Sequence, residues 1–179
     1  MEEIDYEEFS GIDYEWFLAD AIGQLAVLIT AGKGPVPGPI IRAQLFSETL
    51  EVFLKGLPDQ GGYVIQTRDR FTRSTPHAHL CFAEILDQPI PDDAVARKAL
   101  KDWMEYSRKG LFGYDWLDVH RPARLRSECY EMVTAPENPI RLENLPSELA
   151  NKVLRIDSIR FDQTRVLKIS KHLGEITPS

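Results

Sequence analysis

The fold is decided by the stretch Tyr14-Glu-Trp-Phe-Leu-Ala-Asp20, which continues as Ala-Ile-Gly-Gln and then Leu25-Ala-Val-Leu-Ile-Thr30. Two runs of aromatic and aliphatic residues joined by a short loop that contains Gly23 predict a β-hairpin, with the glycine supplying the positive φ of the turn. Strand alternation places Trp16 and Leu18 on one face and the residues between them on the other. Because both faces are largely apolar, we expect this hairpin to lie inside a sheet.

Further elements are predicted from apolar spacing and from turn residues. Residues 31–39 hold three glycines and three prolines, which end the second strand. In the segment 76–88 the spacing favours a helix, although a strand would bring alternate residues to one face. The remaining predictions are a helix over about 40–55 that stops at Gly56, a strand at 63–67, a helix over 91–109 that stops at Gly110, strands at 111–116 and 130–134, a helix from Asn144 to about Leu154, and a second hairpin made of 159–161 and 166–169.

These elements amount to about six strands and three or four helices, with hairpins at both ends and no regular alternation of strand and helix. We therefore predict an α+β protein, a single domain over 1–179 with a mostly antiparallel sheet. Residues 1–12 are predicted to be a flexible acidic N-terminus. The three tryptophans fall on predicted elements and are expected in the core: Trp16, Trp103 and Trp116.

The net charge of −7 is concentrated at one place in the chain. The first twenty residues carry −8, so the other 159 residues sum to +1. Proteins that bind nucleic acid or anionic membranes do so through Lys and Arg side chains, which neutralise phosphate groups. The acidic balance therefore disfavours such a function for this chain. The acidic run is either a solvated chain end or a binding surface for a basic protein, and its candidate partner-binding residues are Glu2, Glu3, Asp5, Glu7 and Glu8.

The chain is predicted to be cytoplasmic. Its acidic beginning lacks the positive charge of a secretory signal, and its longest apolar run, 25–31, is far shorter than the ~20 residues that span a bilayer. Cys81 and Cys129 have no metal-ligand spacing and are expected to be reduced thiols, with a disulfide between them left open.

Two groups of residues are candidates for chemistry. His77, His79 and Cys81 would share one face of a strand and are possible metal ligands, but a packing or capping role is favoured because no further spaced ligand follows. An acid–base pair could be drawn from Asp115, Asp118 and His120, although three such residues in a solvated loop occur often without chemistry. We therefore predict no catalytic residue, no cofactor and no firm metal site.

A basic cluster stands out in the same part of the sequence, formed by His120, Arg121, Arg124 and Arg126. It is suited to a phosphate or an acidic partner. Pairing within the molecule, with the acidic N-terminus, is the favoured interpretation because opposite charges are available in the same chain.

The hairpin and the turn after it carry a family resemblance. Residues 16–23 fit W-F-x-x-D-x-x-G and residues 30–37 fit T-x-G-x-G-x-x-P, a pattern that resembles a set of small uncharacterised bacterial proteins. Similar stretches occur at 108–115, 130–136 and 139–146, so the resemblance covers about a third of the chain, and residues 117–129 depart from it. Some such proteins are regarded as immunity-like or antitoxin-like partners in toxin systems, and the family supplies no catalytic residues.

Charge, missing catalytic motifs and the resemblance together favour a non-enzymatic protein-binding protein, an immunity-like or antitoxin-like inhibitor with a basic partner. The alternative is a small hydrolase or metal-dependent enzyme built on His77, His79, Cys81, Asp115 or His120. A concave site with convergent polar groups would favour the enzyme, and an acidic surface would favour the binder.

Overall fold

The computed structural model describes residues 11–44, 48–65, 101–116, 129–169 and 176–178. Its helices are α1 (Gly38–Gln44), α2 (Glu48–Lys55), α3 (Lys101–Arg108) and α4 (Ser147–Ala150), with short 3₁₀ helices at Leu142–Asn144 and Phe161–Gln163. Its strands are β1 (Glu15–Ala19), β2 (Leu25–Ile29), β3 (Tyr63–Ile65), β4 (Phe112–Asp115), β5 (Tyr130–Pro136), β6 (Leu154–Ile156), β7 (Val166–Leu167) and β8 (Ile176–Pro178). The α+β class is confirmed.

The strands form one mixed sheet in the order β3-β5-β4-β2-β1-β6-β8, and β7 pairs with the other half of β5. The expectation of a mostly antiparallel sheet is wrong, because β2 runs parallel to β4 and β1 runs parallel to β6. Parallel neighbours need a long crossover rather than a tight turn. Here the described residues between β2 and β4 include α1, α2 and α3, which is the kind of connection that a parallel pair requires.

The first hairpin is confirmed. β1 and β2 pair antiparallel from Glu15 opposite Ile29 to Ala19 opposite Leu25, and Gly23 has a φ of +79° in the loop between them. Neighbouring strands flank both members of the hairpin, so it lies in the middle of the sheet as its apolar faces predict. This central position makes the hairpin the frame on which the other strands are arranged.

Alternation along the central strands divides the core into two layers. Phe17 and Val27 face the layer that contains α2, α3 and α4, whereas Trp16 and Leu28 face the layer that contains α1. All three tryptophans are buried, which confirms that they belong to the core: Trp16, Trp103 and Trp116. The sheet is therefore covered on both faces.

The helix predicted over 40–55 is two helices, α1 and α2, and residues 45–47 between them lie outside the described residues. Gly56 ends α2, with its N–H donating to the carbonyls of Val52 and Phe53. Gly110 ends α3 at a φ of +92°, a conformation that glycine adopts without the usual side-chain clash.

Two predictions near the C-terminal end of the chain are wrong. The helix expected from Asn144 to Leu154 ends at Ala150, and Leu154 begins β6 instead. The second hairpin does not form, because Phe161 lies in a 3₁₀ helix whose buried ring packs against Tyr114, while β7 pairs with β5. In both segments, tertiary packing outweighs the structure that the local sequence pattern favours.

Several predicted elements lie wholly or partly outside the described residues: the segment 76–88, the first turns of the helix over 91–109, the end of the strand at 63–67, and most of residues 1–12. Within the described part of the chain, no helix has the length and apolar character needed to cross a membrane.

Candidate functional site

Acidic side chains gather at one end of the central strands. Across the sheet, Glu131 on β5 lies opposite Asp115 on β4, Asp115 lies opposite Ile29 on β2, and Ile29 lies opposite Glu15 on β1. Residues that face each other on neighbouring strands share one face of the sheet. Three carboxyl groups therefore stand in one row on the face that α2 and α3 cover. These three carboxyl groups and two acidic neighbours, Asp13 and Glu51, form a group that we call the carboxylate rim. Its members are Asp13, Glu15, Glu51, Asp115 and Glu131.

Asp115 is the most deeply buried carboxyl of the rim, with 1% of the residue exposed. Within the part of the chain that the structure describes, its Oδ1 atom is buried and accepts no hydrogen bond. Burial, followed by the charge of Asp13, raises the pKa of Asp115 to about 8, and the backbone N–H of Trp116 offsets only part of that rise. Asp115 therefore holds its proton at neutral pH.

The chain enters this end of the sheet through residues 11–14, which we call the N-terminal strap. The strap lies along the residues that follow β2. Gly11 donates its N–H to the carbonyl of Gly32 at 2.8 Å, and Tyr14 donates its N–H to the Thr30 hydroxyl at 2.8 Å. The amide of Thr30 donates in return to the carbonyl of Tyr14 at 3.0 Å. These bonds fix the place where the acidic N-terminal residues join the fold.

The strap carries Asp13, the exposed member of the rim. Its Oδ1 lies 3.4 Å from the Thr30 hydroxyl, which is close enough for a weak hydrogen bond. Asp13 acts on the buried Asp115 as a like charge. One exposed and one buried carboxyl thus form a pair whose charges repel when both are ionised.

Glu15 has a different environment, although it stands in the same row. It accepts a short hydrogen bond from the hydroxyl of Tyr106 on α3, and its Oε2 lies 3.2 Å from Nζ of Lys55 on α2. Lys55 also pairs with Glu51 one turn earlier on its helix at 2.7 Å, and it lies 5.2 Å from the centre of the Tyr106 ring. Glu15 is therefore a satisfied carboxyl, held by two helices.

The charges around Lys55 shift the pKa values of the groups near it. Burial raises the pKa of Glu15, and the bonds from Tyr106 and Lys55 offset part of the rise. Burial opposes the charge on Lys55, but Glu51 and Glu15 outweigh it and raise the pKa. Burial and the charge of Glu15 raise the pKa of Tyr106 well beyond its usual range. Tyr106 is thus a hydrogen-bond donor and is not activated as a phenolate nucleophile.

A second buried aspartate, Asp20, lies at the opposite end of β1 and serves the fold. Its Oδ1 accepts the backbone N–H groups of Ile22 at 3.0 Å and Gln24 at 2.8 Å, and its Oδ2 accepts that of Phe161 at 2.8 Å. Asp20 therefore closes the β1–β2 loop and ties it to the 3₁₀ helix. The aspartate of the W-F-x-x-D-x-x-G pattern has a structural role in this chain.

Some of the residues proposed from sequence lie within the described structure and others lie outside it. Asp115 is described, and it lies in a buried strand rather than in a solvated loop. Cys129 is buried immediately before β5. The other candidates lie outside the described residues: Glu2, Glu3, Asp5, Glu7, Glu8, His77, His79, Cys81, Asp118, His120, Arg121, Arg124 and Arg126.

Sequence reasoning missed the association of Asp115 with Asp13 and Glu131, because the pairing depends on strand order rather than on distance along the chain. A local signal was present. Glu15 and Asp115 each lie between two large aromatic or apolar residues of a predicted strand, where a carboxyl requires either a partner or a proton.

Among the residues that the structure describes, no group of three or more His, Cys, Asp or Glu side chains is arranged to hold a metal ion. Comparisons with known protein families, with curated proteins and with solved structures give no match. The resemblance to small bacterial proteins thus stays a prediction, and the chemistry of the rim is what bears on function.

Proposed function

We propose that this chain is a non-enzymatic cytoplasmic protein that binds a basic protein partner, as an immunity-like or antitoxin-like inhibitor does. The carboxylate rim is the observation that carries the proposal. The N-terminal residues, which hold five acids within the first eight positions, join the fold through the strap at the end of the sheet where the rim lies. The acidic N-terminal residues are therefore connected directly to the strap that carries Asp13.

The balance of charge at the rim favours a positively charged partner. Lys55 pairs with two carboxylates of the rim, Glu15 and Glu51, so one positive charge is shared between two negative ones. Charge complementarity raises the rate of encounter and fixes orientation, and it weakens with salt. We expect binding of the partner to be fast at low ionic strength and weaker in high salt.

Capture by a photo-crosslinker placed on the strap tests the proposal. Ile12 is 58% exposed and neighbours Asp13, so Ile12→benzoylphenylalanine places the crosslinker beside the rim. Proteins captured in an extract of the source organism are identified by mass spectrometry, purified and titrated against the unlabelled chain. We expect a partner with a net positive charge.

The role of charge is measured with two variants that each remove four acids. The test variant is E2Q/E3Q/E7Q/E8Q. The control, E143Q/E148Q/D157N/D162N, removes exposed acids that lie toward the end of the sheet opposite the rim. We expect the test variant to bind the partner about tenfold more weakly or worse, and the control to match the unmodified chain within about twofold. Equal affinities for both variants would sink the charge-based proposal.

A second function is favoured by one observation, the raised pKa of Asp115. A carboxyl that holds its proton near neutral pH is suited to general acid catalysis, so the chain could be a small hydrolase with Asp115 as the acid. A panel of ester, amide and phosphoester substrates distinguishes the two functions. Turnover that falls at least ~100-fold in D115N would establish the enzyme, and equal background rates in both proteins would remove it.

A further inference from the structure

The turn at 30–34 carries the T-x-G-x-G pattern and lies outside the carboxylate rim. We propose that this turn clamps the N-terminal strap against the fold, with Thr30 as the positioning residue. The clamped strap presents Ile12 and Asp13 as a preformed contact for a segment of the partner that carries apolar and basic side chains. The inference rests on the proposed function and names the side chains that the partner meets.

The first support is the set of bonds that the buried hydroxyl of Thr30 makes with the strap. It accepts the N–H group of Tyr14 at 2.8 Å and that of Gly32 at 3.3 Å. Its own proton has two acceptors in reach, the carbonyl of Ile12 and Oδ1 of Asp13, each 3.4 Å away. A hydroxyl accepts two hydrogen bonds and donates one, so this one is fully used.

The backbone of the turn adds bonds at both ends of the strap. The amide of Thr30 donates to the carbonyl of Tyr14 at 3.0 Å, and the carbonyl of Gly32 accepts the N–H of Gly11 at 2.8 Å. The carbonyl of Thr30 accepts the N–H of Gly34 at 2.7 Å, which closes the turn on itself. The strap is therefore held at its first residue and at its last.

The second glycine of the pattern anchors the turn on the core. A Cβ atom built on Gly34 would lie 2.5 Å from the hydroxyl oxygen of Tyr130 and 2.9 Å from Cβ of Trp116, closer than real side chains approach. Both aromatic residues are buried, and their ring centres are 5.2 Å apart. The Tyr130 hydroxyl also donates to the carbonyl of Pro35 at 3.1 Å. Glycine at position 34 thus lets the turn that holds the strap rest directly on buried aromatic rings.

The strap presents an apolar and an acidic side chain next to each other. Ile12 is 58% exposed, and its neighbour Asp13 is exposed as well. Their backbone lies between Gly11 and Tyr14, which the turn holds. A contact whose backbone is already ordered loses less conformational entropy on binding than a free chain does. A partner segment with adjacent aliphatic and positively charged side chains matches this pair in chemistry.

The experiment measures binding of a blocked, fluorophore-labelled peptide of alternating leucine and arginine by fluorescence anisotropy at low salt. For T30V we expect binding about fivefold weaker than for the unmodified chain, because the released strap must be ordered on binding. T30S keeps the hydroxyl and should match the unmodified chain within about twofold. Hydrogen exchange at the amides of Gly11 and Tyr14 should be faster in T30V and unchanged in T30S.

S107A distinguishes positioning from a purely structural role of Thr30. The buried Ser107 hydroxyl bonds to the carbonyl of Leu111 at 2.9 Å and to the hydroxyl of Thr134 at 2.6 Å. Leu111 precedes β4, at the end of that strand away from the rim. S107A therefore also removes a buried hydroxyl, but it should leave peptide binding and the exchange of the strap amides unchanged. Equal weakening of peptide binding by T30V and S107A, or full binding by T30V, would overturn the inference.

The two presented side chains are tested with matched controls. I12S should weaken binding of the leucine–arginine peptide about threefold and leave a peptide of alternating glycine and arginine unaffected. D13N should weaken binding of both peptides about threefold. The controls are V64S, at a valine that is 55% exposed on β3, and D157N, after β6, and both should bind as the unmodified chain does. Full binding by I12S and D13N, or no binding by the unmodified chain, would overturn the strap contact.

The outcomes separate this inference from the proposed function. Weaker partner binding by E2Q/E3Q/E7Q/E8Q, together with full peptide binding by T30V, would remove the clamp from the interface and retain the acidic binding protein. Weaker peptide binding by T30V, I12S and D13N, together with unchanged partner affinity in the N-terminal variant, would retain the strap contact and remove the N-terminal acids from the interface.

Discussion

Two aspartates at opposite ends of the same sheet are both buried, and they have opposite environments. Asp20 accepts three backbone N–H groups and closes a loop, so its carboxylate is part of the fold. Asp115 keeps an oxygen without a hydrogen bond among the described residues and faces the like charge of Asp13. Burial alone thus does not tell a carboxylate that the fold uses as an acceptor from a carboxyl that keeps its proton. The number of hydrogen-bond donors around the carboxyl group makes that distinction.

Removal of Asp20 should give the largest effect. In D20A the three N–H groups of Ile22, Gln24 and Phe161 lose their acceptor, and each buried donor without a partner costs about 1–3 kcal/mol. We expect the free energy of unfolding to fall by about 5 kcal/mol, measured by urea denaturation followed by tryptophan fluorescence. A loss below about 1 kcal/mol would show that the loop does not depend on this carboxylate.

The stability contributed by Asp115 should depend on pH, with a defined sign. In the folded protein Asp115 keeps its proton up to a pKa of about 8, whereas an aspartate in an unfolded chain releases it near pH 4. Between these values the folded state holds one proton more, so stability present at low pH is lost as the pH rises.

The comparison of the unmodified chain with D115N isolates this contribution. Asparagine cannot ionise, so D115N should gain about 4 kcal/mol relative to the unmodified chain between pH 5 and pH 8, as measured by urea denaturation at each pH. D157N is the control and should show no such trend. A difference between D115N and the unmodified chain that does not change with pH would contradict the burial of an un-ionised carboxyl.

A smaller effect is expected at Glu15, the rim carboxyl that already has partners. Y106F removes the hydroxyl that donates to Glu15 and leaves Lys55 in place. Because a hydrogen bond to a charged group contributes about 2 kcal/mol, we expect a loss of that size in the free energy of unfolding. An unchanged free energy of unfolding in Y106F would show that Glu15 does not depend on this donor.

The smallest effect is expected at the strap. T30V removes the hydroxyl that accepts the N–H of Tyr14 and lies near Asp13. We expect a loss of about 1 kcal/mol in stability, with faster hydrogen exchange at the Tyr14 amide as the local measurement. Unchanged exchange at that amide would show that the strap is held by other contacts.

The central hairpin could be predicted from sequence because its information is local. The alternation of Trp16 and Leu18 against Phe17 and Ala19, and the glycine in the loop, are properties of neighbouring residues. The end of α3 at Gly110 follows from the same kind of local signal.

The other features of the fold and of the candidate site depend on contacts between distant parts of the chain. Phe161 leaves its expected hairpin because its amide donates to Asp20, 141 residues away, and its ring packs in the core. The parallel pairing of β2 with β4 requires a crossover that no local pattern encodes, and the same pairing sets Asp115 opposite Ile29, the residue before the Thr30 that bonds to the strap. Asp115 could be proposed as an acid from sequence, and the other two residues of that proposal, Asp118 and His120, lie outside the described residues.

The ionisation of Asp115, followed through its carboxyl ¹³C resonance by NMR, tests the central claim most directly. We predict a midpoint near pH 8 in the unmodified chain and a lower midpoint in D13N, because the charge of Asp13 contributes to the raised pKa. A midpoint near pH 4 in the unmodified chain would contradict it.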